Sequence, residues 1–369
     1  MKFTCQQQSL WRALNTVGKA VTTRTTIPIL KGILLEAKLD NTLKLSASDL
    51  DLSIEKVINA NISREGSIVV SARLFSDIIK RLPNEDIEID LEENNLKIKC
   101  LTSEFVIVGQ AAEEFPNIGE IKDNKKISID KEIFKEMIKR TAFSASVDES
   151  KGIIVGVLIE IEKDSLNMVA LDGFRMAVTK EFMISEENKK IVVSARILNE
   201  ISKILSDEEK ENEINLILDE KKAVIILPDT KIVLRLLDGE FIKYKDILPK
   251  ENKCKIKISR SDLLESIERA SLLAKEGKNN LIKLSIGETK MIITSRSEEG
   301  NVREEIYLEK TGENLDIGFN SKYLLDVLKV INEEEIYMEF NSSVSPCLIK
   351  SVENDRFVYL ILPVRININ

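Results

Sequence analysis

Apolar and polar residues alternate with period two over Lys2-Phe3-Thr4-Cys5, over Lys126-Ile127-Ser128-Ile129 and over Lys255-Ile256-Lys257-Ile258. Each run predicts a short, half-buried strand. After each the period lengthens. Leu10, Trp11, Leu14, Val17 and Val21 recur at helical spacing; so do Ile133, Phe134, Met137 and Ile138 behind Asp130, and Leu263, Leu264, Ile267 and Ala270 behind Ser259, with Asp262 three residues on. Asp130 and Ser259 are the helix-starting residue types. Alternating or wholly apolar runs rich in β-branched residues predict further strands at 43–47, 87–91, 96–100, 223–227 and 291–294. Asp40-Asn41, Glu93-Asn94-Asn95 and Asp219-Glu220-Lys221-Lys222 separate them as turns at hairpin spacing.

The pattern is copied. Ile68-Val69-Val70-Ser71-Ala72-Arg73 returns letter for letter as Ile191-Val192-Val193-Ser194-Ala195-Arg196, 123 residues later in a chain of 369. Residues 74–82 face 197–205 in the same apolar register, and residues 320–331 form a fainter third copy. The chain therefore reads as three α+β repeats, each with two helices packed on antiparallel sheet. The expected domains are 1–121, 122–250 and 251–369, with short linkers near Pro116-Asn117-Ile118-Gly119 and Ile247-Leu248-Pro249-Lys250-Glu251. A fold built three times suits geometry better than one-off chemistry.

Composition narrows the chemistry. Apolar content of 43% with 31% charge is that of a globular protein, and no apolar run approaches the roughly 20 residues of a membrane span. The opening residues lack a signal-peptide core, so a cytoplasmic location is expected. Cys5, Cys100, Cys254 and Cys347 show no metal-ligand spacing, and histidine is absent, which removes the commonest general base and the Ser-His and Cys-His nucleophile pairs. An enzyme would centre on Ser48-Asp49-Leu50-Asp51, two carboxylates for magnesium. Yet Asp49 falls at the repeat offset from Asp172, the mark of a structural position, and no phosphate-cradling glycine loop is present. No catalytic residue, metal or cofactor is expected.

Net charge is −8, but the helical segments run against it. Residues 5–24 carry Arg12, Lys19 and Arg24 with no acid, and 71–82 carry Arg73, Lys80 and Arg81 against Asp77 alone. Basic helices beside acidic sheets can draw a polyanion to one surface; the same asymmetry also arises from solvated helix-forming lysines and arginines. Aromatics are only 5% of the chain, and no base-reading motif or stacking platform is visible.

Motifs spread along the whole length resemble the bacterial sliding clamps, the beta subunits of DNA polymerase III. They are Met1-Lys2-Phe3; Arg24 followed by Ile27-Pro28-Ile29-Leu30; Phe115-Pro116-Asn117; Ala170-Leu171-Asp172-Gly173-Phe174-Arg175-Met176-Ala177-Val178; Asp238-Gly239-Glu240-Phe241 with Tyr244 and Leu248-Pro249; and Tyr359-Leu360-Ile361-Leu362-Pro363-Val364-Arg365. The resemblance implies a head-to-tail dimeric ring of three clamp domains per chain. Helices line a hole through which double-stranded DNA passes without being read. It implies phosphate-facing roles for Arg24, Arg73, Lys80, Lys139, Lys151, Arg196 and Lys203. In the loop Asp148–Ile153, where the family often has tyrosines, this chain has Gly152 and Ile153, leaving Lys151 as the obvious cation.

The resemblance also implies a groove for short peptides of the polymerase, the clamp loader and repair proteins. It maps onto Ile154, Leu171, Gly173, Phe174, Arg175, Met176, Ile242, Ile247, Val344, Pro346, Leu360, Ile361, Leu362, Pro363, Val364 and Arg365, where Arg175 and Arg365 would offer donors. Ile242 and Pro346 depart from common family choices, and Ile366–Asn369 extend the usual ending. The dimer contact maps onto Phe105 against Arg269, Leu272 and Leu273. A protein-only interaction scaffold that never encircles DNA is the competing reading; it needs the groove but not the basic helices.

Overall fold

The computed structural model describes residues 1–23, 25–119, 125–207 and 212–366. Arg24, the expected boundary between residues 121 and 122, and Asn367–Asn369 of the extended ending lie outside the described residues. Six α-helices are described: α1 (Gln7–Val17), α2 (Ala72–Arg81), α3 (Lys131–Thr141), α4 (Ala195–Asp207), α5 (Arg260–Glu276) and α6 (Ser321–Leu328). The strands Lys2–Gln6, Lys126–Asp130 and Cys254–Ser259 run directly into α1, α3 and α5, as the change of period predicts. Ser259 Oγ accepts from the Asp262 amide at 3.3 Å, and Asn320 Oδ1 from the Lys322 amide at 3.0 Å, satisfying donors that a helix start leaves orphaned. Val21 departs from expectation. Gly18–Ala20 tightens into a 3-10 turn after α1, and Val21 stands in extended backbone.

The chain packs as two compact units, Met1–Lys131 with Lys203–Leu236, and Glu132–Ser202 with Leu237–Asn369. In the first, a five-stranded sheet runs in the order Asn61–Arg64, Lys2–Gln6, Asp86–Glu92, Asn95–Cys100, Ser103–Val108. An eight-stranded sheet follows the order Lys126–Asp130, Glu213–Leu218, Lys222–Ile226, Thr230–Arg235, Leu52–Asn59, Thr42–Ser48, Gly32–Lys38, Gly66–Ser71. Its seam pairs Ile232 with Ile54 and Leu234 with Leu52, joining the first repeat to half of the second. Leu10 and Leu14 of α1 and Phe75 and Ile79 of α2 are fully buried.

The second unit repeats the plan. Nine strands run in the order Lys189–Ser194, Gly156–Ile161, Ser165–Leu171, Arg175–Phe182, Phe357–Ile361, Cys347–Ser351, Glu335–Phe340, Cys254–Ser259, Glu309–Gly312. Four more run Gly300–Tyr307, Lys290–Ser297, Leu281–Ile286, Leu315–Asn320. Ile267 and Ala270 of α5 and Leu324 and Leu328 of α6 join Ile256, Ile293, Phe319, Ile349 and Tyr359 in one core. The outermost strand Ser103–Val108 of the first unit leaves Phe105, Val106 and Val108 exposed, and Gly300–Tyr307 of the second leaves Tyr307 exposed. All four cysteines are buried free thiols. No helix among the described residues is long and apolar enough to cross a membrane.

Candidate functional site

The predicted groove lies wholly within the second unit and grows out of one hairpin. Leu171 pairs with Met176 across the turn between Ser165–Leu171 and Arg175–Phe182; Met176 then pairs with Leu360, and Leu360 with Leu348. Side chains on successive strand residues point to opposite faces. Leu171, Met176 and Leu360 therefore share one face and join Leu158, Val169, Val192, Leu348 and Tyr244 in a separate apolar cluster, with Ile153, Ile154, Phe241 and Leu248 packed against it.

The same alternation corrects two expectations. Ile361 falls on the opposite face and is buried in the helix-side core with Cys347 and Tyr359, so it cannot line the surface that Leu360 floors. Arg175 also faces that side, 9% exposed. Its Nε donates to Asp172 at 3.1 Å, Nη1 to Asp326 at 2.6 Å and Nη2 to the Phe143 carbonyl at 2.8 Å, while the guanidinium stacks 4.8 Å from the Tyr323 ring and 5.2 Å from Phe143. It braces the hairpin from beneath instead of offering donors outward.

Five other members of the predicted groove are apolar and exposed, its expected rim. Phe174, Leu362, Ile242, Ile247 and Val344 all carry large exposed side chains. The Leu362 amide donates to the Phe174 carbonyl at 2.9 Å, holding the hairpin tip to the C-terminal strand. Gly173, at φ +94°, supplies the left-handed turn residue between Asp172 and Phe174. Ile242 and Ile247 flank buried Tyr244; Val344 and half-buried Pro346 precede the strand Cys347–Ser351. Half-buried Pro363 follows Leu362, the Val364 amide donates to the Gly318 carbonyl at 2.8 Å, and Arg365 is exposed. Ile366 packs against Gly318, where a Cβ would stand 2.8 Å from its side chain.

Lys151 belongs to this rim. Its Nζ lies 5.9 Å over the Phe174 ring, which stacks on Tyr323 at 6.2 Å. Tyr323 and Tyr244 are among the residues here that the sequence-based set lacks, with Leu158, Val169, Val192, Leu348, Phe241 and Leu248 of the cluster. Tyr323 follows the small-basic start of the third repeated helix, and Tyr244 stands among the family motifs; their packing partners come from strands distant in the chain.

The basic side chains are presented by helices. On α2, Arg73 and Lys80 are seven residues apart and exposed, and on α4 Arg196 and Lys203 repeat the pair; that spacing puts both members on one helix face. The counterparts in the third copy are exposed Lys322 on α6 and Lys329 just past its end, the latter bonded to Glu268 at 3.1 Å. Lys139 lies 3.7 Å from Glu136, whose other oxygen holds Arg140 at 2.9 Å. Leu272 is 66% exposed and Leu273 half-buried. Arg269 is exposed but bonded at 2.6 Å to Glu304, whose carboxyl it holds below the usual range.

The remaining acidic candidate is structural. Asp49 Oδ1 accepts from the amides of Asp51 at 3.1 Å and Leu52 at 2.7 Å. Asp172 Oδ1 accepts from those of Phe174 at 2.8 Å and Arg175 at 3.0 Å. Both carboxylates cap a hairpin turn.

Three family models match in chain order: the N-terminal domain of the DNA polymerase III beta subunit over residues 1–119, the central domain over 128–243 and the C-terminal domain over 245–365. The Bacillus subtilis (strain 168) beta sliding clamp is 36% identical over 99% of this chain and all of its own, and that of Staphylococcus epidermidis 34% over 99% of each. Among solved structures, the Bacillus subtilis DNA polymerase sliding clamp aligns with TM-score 0.95 at 36% identity over 99% of both chains. The Thermotoga maritima DNA polymerase III beta subunit aligns with TM-score 0.93 at 33% identity over 99% of both. Fold and comparisons together define the class, a three-domain α+β DNA clamp without catalytic activity. Within that class, the chain belongs to the DNA polymerase III beta subunit family, the sliding clamps of the replicative polymerase. The scaffold reading is not favoured.

Proposed function

We propose that two copies join head to tail, the exposed Phe105 strand of one meeting Arg269, Leu272 and Leu273 of the other, so that six repeated domains enclose duplex DNA. The domain bounds on this reading are 1–121, 122–250 and 251–369. Arg24, Arg73, Lys80, Lys139, Arg196 and Lys203 face phosphates, making contacts weak enough to exchange as the ring slides. Closure, with no tight site, then keeps the polymerase at high local concentration on DNA. Lys151, held over Phe174, serves the groove in place of the duplex. The ring works in the cytoplasm, at the nucleoid.

The groove takes short peptides of the polymerase, the clamp loader and repair proteins. Each leucine or phenylalanine side chain seated against Leu171, Met176, Leu360 and the rim gains about 1.5–3 kcal/mol from burial. The observation carrying the DNA reading is the exposed basic pair at spacing seven, present on α2, on α4 and, as Lys322 and Lys329, on α6 and just past its end, in a chain of net charge −8. Its test is loading onto primed circular DNA. Replacing Arg24 and Arg73 by alanine is expected to lower loading and weaken the salt-sensitive DNA contact; unchanged processivity in that double variant counts against the reading.

A further inference from the structure

Residues 237–249 form the outer wall of the groove, carry Ile242 and Ile247, and contain no strand. Their own hydrogen bonds are local turns: Tyr244 amide to Ile242 carbonyl at 2.7 Å, Asp246 to Lys243 at 3.1 Å and Ile247 to Tyr244 at 3.1 Å. Gly239, at φ +126°, adds a position without side-chain restraint. To the sheet, the wall is hydrogen-bonded at its start, where the Leu237 amide donates to the Val192 carbonyl at 2.9 Å, and through the side chain of Tyr244.

The Tyr244 hydroxyl donates to Glu160 Oε2 at 2.7 Å. Glu160, on the strand Gly156–Ile161, is 1% exposed, and its other oxygen holds Lys190 Nζ at 2.7 Å from the paired strand. Burial pushes the Glu160 carboxyl up, but the bonds from Lys190 and Tyr244 outweigh it and hold it below its usual value. Burial first, and then that carboxylate, push the Tyr244 hydroxyl far up, so it stays a donor. A hydrogen bond to a buried charge is among the stronger ones, and its acceptor has no alternative solvent.

We propose that Glu160 and Tyr244 are positioning residues for the groove. Their buried bond pins the wall segment to the sheet and fixes where Ile242 and Ile247 stand, without either residue having to touch the bound peptide. The inference rests on the groove reading above. It adds a determinant of peptide affinity that lies beneath the wall, in the sheet.

The test uses the full chain and a fluorescent peptide carrying a Leu-Phe pair. Tyr244→Phe is expected to weaken binding about tenfold, chiefly through faster dissociation. Glu160→Leu acts alike, whereas Glu160→Gln, which keeps an acceptor, stays within about threefold of the parent. Amide exchange in Tyr244→Phe rises across 238–249 and not across 156–161 or 189–194. Unchanged affinity in Tyr244→Phe overturns the inference, as does exchange that rises uniformly through the unit. Met176→Ala with Leu362→Ala separates the two levels. If that variant binds the peptide undiminished, the groove reading itself falls; if it loses binding while Tyr244→Phe keeps it, only the positioning role does.

Discussion

The two repeat seams use one frame with different fillings. At the first, the hairpin turn of residues 48–53 is capped by Asp49; at the second, the turn of residues 171–176 is capped by Asp172, with matching amide acceptances 123 residues apart. The positions that floor the groove at the second seam, Leu171 and Met176, are Ser48 and Ser53 at the first. Those hydroxyls are buried and bonded to each other at 2.7 Å. Gly173 becomes Leu50, at φ +77°, and the exposed Phe174 becomes Asp51. Ile118 of the first linker packs on Ile217, Val224 and Val233, much as Tyr244 packs on the groove floor, but without a hydroxyl to pin. A repeated backbone thus supplies the geometry twice, and a handful of side chains decides which copy presents an apolar slot.

The comparison can be broken most severely at the floor. Met176→Ala with Leu362→Ala is expected to cost peptide affinity at least about a hundredfold, and a few kcal/mol of stability for emptying the buried Met176 site; a peptide titration and a melting curve read the two. Next comes the basic pair. Arg73→Ala with Lys80→Ala should reduce the slope of log K against log salt for DNA by about two, since each phosphate contact releases about one counterion. The two capping aspartates separate the seams more finely. Asp49→Ala should cost about 1 kcal/mol in denaturant unfolding, but Asp172→Ala about 3 kcal/mol, because it also strips a partner from the buried Arg175.

A smaller effect follows from Glu160, faced by Lys190, Tyr244 and, more weakly, Lys245. Its carboxyl is depressed in the fold, so the stability it contributes is present above the unfolded carboxylate value of about 4.3 and is lost as pH falls through the lower folded value. Peptide affinity should be flat from about pH 8 to 5 and decline only below that window. Comparable with the Asp49 change, Gly173→Ala, strained at positive φ but with nothing within 4 Å of the added carbon, should cost about 1 kcal/mol of stability.

Local periodicity and the letter-for-letter repeat made much of this legible from sequence: the opening strands, the helices they feed, the hairpins, and the alignment of Asp49 with Asp172. What they could not supply was pairing between distant strands. Arg175 and Ile361 sit beside Met176 and Leu360 in sequence, yet register assigns the pairs to opposite faces. The seam between Leu52–Asn59 and Thr230–Arg235 has no local signal at all. No local signal ties Lys151 to its ring partner, because Phe174 is 23 positions away. Tyr244 was visible as a motif residue, but its role depends on Glu160, which no spacing connects to it.

The strand seams that cross repeat boundaries also separate inheritance from stability. What was copied in this sequence is a stretch of about 123 residues, whereas what packs is one outer copy plus half of the middle one. The middle copy is divided between two bodies, so an outer copy expressed without it has a sheet edge, Leu52–Asn59 or Phe357–Ile361, that lacks its neighbour. The hydrogen bonds along those seams thus make the smallest self-contained body longer than the repeat it is built from.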